Sequence, residues 1–234
     1  MAEQPDDRDL SQVRQDIDAI DARIQELIAE RARCAQRVAA IKLEEVQAAR
    51  SRGESDREVV YYRPEREAQV LRRIMERDQG PLEGPTVAHV FREIMSACLA
   101  LEKPLQVAYL GPEGTFTQAA ALKHFGHAAV CVPQVTIDHV FSEVESGHCN
   151  FGIVPVENST EGMVSHTLDS FIDSPLKIAG EVEMRISHNL LVAPGTTASD
   201  ITRICAHQQA LAQCRNWLHA HWPQVEKQAV SSNG

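Results

Sequence analysis

At 234 residues, 43% of them hydrophobic, the chain has room for one or two soluble domains with cores of their own. A net charge of −10 argues against nucleic acid as a partner, and no apolar run is long enough to read as a membrane span. Six cysteines without a CxxC pairing, and no leading signal peptide, point to free thiols and a cytoplasmic location.

The first seven residues are polar and read as a frayed end, with Asp9 or Ser11 available to cap the first helix. From Leu10 to Lys42 the apolar residues Leu10, Val13, Ile17, Ile20, Ile24 and Leu27 recur in alternating steps of three and four, the rhythm of a helical seam. Arg31 interrupts the seam, which resumes at Cys34, Val38 and Ile41. Burying a guanidinium without a partner costs several kcal/mol, so an internal acid or a bound anion should face Arg31. Lys42, three turns further on, shares that face, whereas Arg14 lies roughly 25 Å away and about 100° around the axis. A helix from about Asp9 to about Arg50 would be on the order of 60 Å long. The two later helices could cover only part of it, so the spacing predicts a homodimer through this first helix.

Between Ala48 and Asp56 the run "AARSRGESD" loses periodicity and reads as a loop or a helix end. A second helix is expected over Glu65 to Asp78, with a stripe of Val70, Leu71, Ile74 and Met75. "DQGPLEGP" stops it, and a third helix should run from Pro85 to Leu101, burying Val87, Val90, Phe91, Ile94, Met95 and Cys98. The next step of four from Cys98 lands on Glu102. A domain boundary falls after Pro104, separating residues 1–104 from 105–234, and cations are concentrated before it.

Beyond that boundary short apolar runs alternate with helical ones, the signature of an α/β domain with a largely parallel sheet. Strands are expected at "QVAYL", "AAVCV", "FGIVPV", Leu176–Ile186, Asn189–Val192, Ile201–Ala206 and Val225–Val230. Helices are expected at Gln118–Phe125, Ile137–Glu145, Met163–Ile172 and Gln208–His221. The closing "SSNG" resembles the start of a helix that does not follow, which suggests a chain that stops inside a domain.

Arg31, Lys42, Arg66, Glu67 and Glu102 lie at or beside apolar faces, a pattern suited to enclosing a small polyanion. No nucleophile with a neighbouring base and no metal-ligand spacing accompanies them. Fixed charges alone suit a reaction that needs its substrate folded and its developing charge stabilised. In the second half, "GPEGTF" ahead of a helix could hold an anion on backbone N–H groups. The loop "VENSTEG" follows a buried strand, where α/β domains place ligands, and it offers Glu157, Asn158, Ser159 and Thr160. The same loop could be no more than a capped turn. His188 and His207 lie near expected strand ends, and the pairs His124/His127 and His219/His221 read as surface residues.

These motifs resemble the bifunctional chorismate mutase/prephenate dehydratase family of L-phenylalanine biosynthesis. "VRQDIDAID", "LIAERARCAQRVAAIK" and "YYRPEREAQVL" are similar to its mutase, while "VAYLGPEGTFTQAA", "FGIVPVENSTEG", "GEVEMRISHNLLV" and "LAQCRNWL" are similar to the first part of its dehydratase. The resemblance implies a three-helix, intertwined-dimer mutase domain over 1–104, followed by an incomplete, periplasmic-binding-protein-like α/β domain over 105–234. It implies chorismate and prephenate as ligands and no cofactor.

By the same resemblance Arg31 and the other subunit's Arg14 would hold the two carboxylates of chorismate. Lys42 would face the ether oxygen, Glu67 the ring hydroxyl, and Arg66 and Cys98 would complete the substrate contacts. Glu102 falls opposite the ether oxygen and must be protonated to donate, so burial has to raise its pKa. Thr117, Glu157, Asn158, Ser159, Thr160, His207 and Gln213 would form a partial dehydratase site. Arg63 stands where some mutases carry an acid, so no role passes to it, and Ala206 stands where a Ser usually precedes the motif's His. The family's Thr-Arg-Phe motif and its phenylalanine-sensing ACT domain would lie beyond Gly234, which implies loss of dehydratase turnover. Two rivals stand beside this reading: a prephenate- or phenylalanine-binding regulatory module without turnover, and a helical dimeriser in which Arg31 and Lys42 pair with acids.

Overall fold

The computed structural model describes residues 9–54, 59–77, 80–158 and 162–230. The chain folds as two compact units, Met1–Pro104 and Leu105–Gly234.

The first unit is helical throughout its regular structure. Its longest element is α1 (Leu10–Ser51), 42 residues long, opened by Asp9, whose carboxylate accepts from the Gln12 N–H at 2.8 Å. Arg50 and Ser51 remain helical, so the expected loop begins later than its loss of periodicity suggested. The helix closes when Gly53 adopts φ +86°, which lets Gly53 N–H reach Arg50 O and Glu54 N–H reach Ala49 O. That paired arrangement is the Schellman ending, for which glycine is the least strained residue. Helix α2 (Pro64–Glu76) starts where proline fixes a helical φ and holds Arg63 extended, and α3 (Gly84–Ala100) also carries a proline in its first turn. Helix α3 packs against both α1 and α2.

The side of α1 that is shielded by its own chain is not the apolar seam. The partly or fully buried residues of its second half are Arg31, Ala32, Ala35, Ala39, Lys42, Val46 and Ala49, a mostly small-residue stripe that lets a neighbouring backbone come close. Val13, Ile17, Ile20, Ile24, Leu27, Val38 and Ile41 are exposed.

The second unit opens with β1 (Gln106–Leu110), α4 (Phe116–Phe125), β2 (Val130–Gln134), α5 (Ile137–Glu145) and β3 (Phe151–Ile153). The three strands form a parallel sheet in the order β2-β1-β3. Central β1 is covered on both faces, so Val107, Ala108 and Tyr109 are buried in succession instead of alternately. Val140 of α5 packs into this core close to Gly152: a Cβ at Gly152 would meet Val140 Cγ1 at 2.8 Å. The chain continues through a short hairpin of β4 (Glu157–Asn158) and β5 (Gly162–Met163) to α6 (Ser165–Asp173). After a long irregular strap come β6 (Arg203–His207), α7 (Gln208–Gln213), α8 (Arg215–His221) and β7 (Glu226–Val230), with β6 and β7 paired in parallel as a separate sheet.

Four expectations are corrected. "AAVCV" pairs two residues later, from Val130, and "FGIVPV" is a strand only as far as Ile153. The helix at 208–221 is two helices, broken at Cys214 where ψ is 3°. Leu176–Ile186 and Asn189–Val192 form no strand. A strand exists only where a neighbour takes its backbone N–H and C=O groups, and among the described residues none pairs with these. The strap is instead held from the side: Lys123 Nζ donates to Glu183 O at 2.7 Å, and the His124 ring packs against Gly180. His124 is thereby half-buried and not a free surface residue. The "SSNG" end lies outside the described residues.

Candidate active site

In the first unit the charged residues meet around an extended segment, 59–63, that leads into α2. Lys42 of α1 donates from Nζ to Val60 O at 2.8 Å and to Tyr61 O at 3.5 Å, which pins the segment and leaves one ammonium proton to offer elsewhere. Glu102, just beyond α3, lies within the electrostatic reach of Lys42. Burial pushes its carboxyl above the usual range and the Lys42 ammonium partly opposes that shift.

Next to the pinned carbonyls stands Tyr62, hydrogen-bonded to Glu67 in the first turns of α2. Arg92 reaches Glu67 from α3, with Nε 3.5 Å from Oε1 and both side chains largely buried. Burial raises the Glu67 carboxyl above its ordinary value, with Tyr62 and Arg92 acting in the opposite sense. Tyr62 in turn is pushed well above an ordinary phenol, first by burial and then by the adjacent Glu67 charge, so its hydroxyl is a permanent donor to that carboxylate.

The structure thus sets Lys42 of α1 near Glu102 at the end of α3, and Glu67 of α2 against Tyr62 and Arg92, with segment 59–63 running between the two groups. Cys98 sits one turn before Glu102 and is buried. Arg31 is half-buried on the same side of α1 as Lys42, and among the described residues no internal acid pairs with it. Arg66 and Arg14 are exposed. Tyr62 and Arg92 escaped the sequence reading. Arg92 falls between Val90 and Ile94 with no periodic signal of its own, and only the packing of α3 on α2 sets it against Glu67.

In the second unit the loops after β1 and β3 emerge at the carboxyl edge of one parallel sheet. The anion cradle expected at "GPEGTF" is largely occupied by the chain itself. Gly111 N–H goes to Gln134 O at 2.8 Å, Gly114 N–H to Gln118 Oε1 at 2.6 Å, and Pro112 has no N–H to give. Thr117 hydrogen-bonds Leu110 O, and Thr115 donates to Pro112 O at 2.9 Å, so both hydroxyls brace the turn. Glu157 and Asn158 pair with Met163 and Gly162, while Ser159 and Thr160 lie outside the described residues. His207 ends β6 and accepts on Nδ1 from Gln209 N–H, capping α7. Gln213 is hydrogen-bonded to His188, whose ring meets Phe116 edge-on at 5.9 Å. His188 is therefore a strap residue, not a strand end, and it joins the start of α4, beside Thr117, to α7.

This arrangement defines a chain with a helical cluster of charged residues in one unit and a parallel α/β sheet with polar loops in the other. Residues 13–103 match the family model of chorismate mutase type II, and residues 107–234 match that of prephenate dehydratase. The bifunctional chorismate mutase/prephenate dehydratase of Pseudomonas aeruginosa is 58% identical over 228 residues, covering 97% of this chain and 60% of that protein. The protein of the same description from Stutzerimonas stutzeri is 60% identical over 224 residues, covering 96% and 60%, and that of Neisseria gonorrhoeae is 48% identical over 220 residues, covering 94% and 57%. The chain belongs to the prephenate dehydratase family, and its first unit is similar to chorismate mutase type II. It spans about 60% of the length of the curated relatives it matches.

Proposed function

We propose that the first unit rearranges chorismate to prephenate, and that the second unit contributes part of a site for converting prephenate to phenylpyruvate in L-phenylalanine biosynthesis. The observation that carries the first half is the neighbourhood of Lys42 and Glu102, an ammonium with a proton to spare beside a carboxyl raised by burial. The rearrangement breaks the ether C–O bond while a C–C bond forms, so negative charge grows on one oxygen and no proton need be removed. Donors already in place stabilise that charge without reorganising. Lys42 is assigned one donor role at the ether oxygen and protonated Glu102 the other, with Arg31 holding a substrate carboxylate. Glu67 accepts from the ring hydroxyl, and Cys98 and Arg66 line the substrate.

Arg14 enters from a second copy of the chain. The exposed seam of α1 is continuous over several turns, and a matching helix is the surface that would cover it. In the second unit Thr117, Glu157, Asn158, Ser159, Thr160, His207 and Gln213 are assigned to prephenate. The deciding experiment follows the loss of chorismate with the purified chain, with light scattering to give its mass in solution. Turnover by a dimer supports the reading, and a chain that leaves chorismate at the spontaneous rate removes it.

A further inference from the structure

Glu67 is assigned to the substrate's ring hydroxyl, but a half-buried carboxylate is a poor acceptor unless something keeps it ionised and aimed. Two groups outside that assignment surround it. Tyr62 approaches from the extended segment, which is itself fixed by the Lys42 ammonium on Val60 O and Tyr61 O. Arg92 approaches from α3, with Nε 3.5 Å from Oε1. Arg92 Nε is buried and finds no hydrogen-bond acceptor in good geometry, so this guanidinium is placed there at a desolvation cost that packing alone does not explain.

Resting on the chorismate mutase reading, we propose that Tyr62 and Arg92 are positioning residues for Glu67, holding its carboxylate ionised and oriented so that it accepts from the hydroxyl of the bound substrate. Tyr62 and the Arg92 guanidinium take up part of the acceptor capacity of the carboxylate, and a carboxylate has further lone pairs to offer a ligand. The segment carrying Tyr62 also carries the carbonyls that hold Lys42, so substrate contacts on α1 and on α2 are set by one piece of chain.

The groups bearing on Glu67 are few. Tyr62 hydrogen-bonds it from the preceding segment and the Arg92 charge faces it from α3, while Glu65 on α2 acts on Tyr62. Removing the Arg92 charge or the Tyr62 hydroxyl therefore leaves burial less opposed, and the Glu67 carboxyl titrates at higher pH. Because the ionised form accepts, activity falls as pH drops through that titration, and the acid limb of the profile moves upward in each variant.

The test uses the full chain with Tyr62→Phe, Arg92→Gln and Arg92→Lys, each checked for folding by thermal melting. Tyr62→Phe and Arg92→Gln should raise KM for chorismate about tenfold with kcat little changed, as expected for an interaction made equally in ground and transition states. Their acid limbs should move up in pH, and Arg92→Lys should recover part of the shift. In a Glu67→Gln background the same two substitutions should cost nothing further. Folded variants with wild-type KM and acid limb, or losses that persist unchanged without the Glu67 carboxylate, would overturn the proposal. A wild-type chain that turned over no chorismate would instead defeat the function assigned to the first unit. Carbon-13 titration of Glu67, which needs no substrate, would still decide the matter: an upward shift in Arg92→Gln supports the positioning role, and an unmoved titration ends it.

Discussion

The two units expose apolar side chains in different ways. In the first, the longest run of exposure follows α1, with Ile17 at 51% and Ile24 at 47%, and isolated exposed apolar side chains lie at Val60, Met75, Leu82, Val90 and Leu101. In the second, the most open apolar side chains include those of the irregular strap, with Ile178 at 74% and Leu191 at 88%. A helix closes its hydrogen bonds within itself, so α1 can stand as a formed element with one face waiting for cover. A strand closes its bonds with a neighbour, and the strap between α6 and β6, apolar as it is, stays irregular among the described residues. Unit one can therefore hold a preformed docking face and a site of fixed charges. Unit two commits its loop donors to bracing its own turns, as Thr115, Thr117 and Gly114 show.

The largest effect that would break the contrast lies in the charged pocket. Arg31→Ala and Lys42→Ala should each lower mutase kcat/KM by at least about a hundredfold, since removing a charge-assisted hydrogen bond from a water-poor site costs about 3 kcal/mol. Lys42→Ala should also free the segment at Val60 and Tyr61, whose carbonyls it holds. Steady-state rates within a few-fold of wild type in either variant would place the chemistry elsewhere.

The seam of α1 supplies the next effect. Arg14→Ala should be as inactive as Arg31→Ala, yet a mixture of the two chains, allowed to exchange, should regain about a quarter of wild-type activity. Half of the randomly formed dimers are mixed, and each of those has one intact site of two. Verified exchange with no recovery would mean that no site is shared and that the exposed face of α1 has another use.

Much of this was legible in the sequence, and for a physical reason. Leu10 to Ile41 carries a local period, and local periods need no knowledge of the rest of the chain, so α1 could be read directly and its cap narrowed to Asp9 or Ser11, of which the structure uses Asp9. The burial run of β1 was likewise visible as "VAY". Two things were not. The strap looked like strands because Ile178, Ile186, Leu190 and Val192 satisfy a strand's composition, but pairing is a property of two segments and composition describes one. Arg92 was missed because its partner is on another helix, and no spacing within α3 distinguishes a solvated arginine from one that meets Glu67.

A smaller, local effect would sharpen the difference between the units. A methyl group at Gly152 would come within 2.8 Å of Val140 Cγ1 and 3.2 Å of Val144 Cγ2, with no flexible chain end to yield. Gly152→Ala should cost the second unit about 1–3 kcal/mol by overpacking. Both tryptophans, Trp217 and Trp222, belong to that unit, so urea unfolding followed by their fluorescence reports on it selectively. The midpoint should fall while chorismate turnover stays unchanged, and a matching loss of mutase rate would show that the two units do not act independently.

The smallest effect concerns Glu102, where the expected change is in the shape of a pH profile and not in its height. Burial raises this carboxyl above the usual range and Lys42 lowers it in part. For a donor to the ether oxygen the protonated form is the active one, because a carboxylate in its place would repel the charge that grows there. Activity should therefore hold below the raised pKa of Glu102 and decline as pH rises through it. Glu67 has the opposite requirement, since its ionised form accepts, so its protonation costs activity as pH falls while ionisation of Glu102 costs activity as pH rises. Glu102→Gln keeps an N–H donor at nearly the same position and removes the titrating proton. Its turnover below that decline should stay close to wild type while the alkaline limb flattens and the acid limb, which belongs to Glu67, remains. An alkaline limb unchanged in Glu102→Gln would assign that titration to another group and leave Lys42 as the donor the pocket depends on.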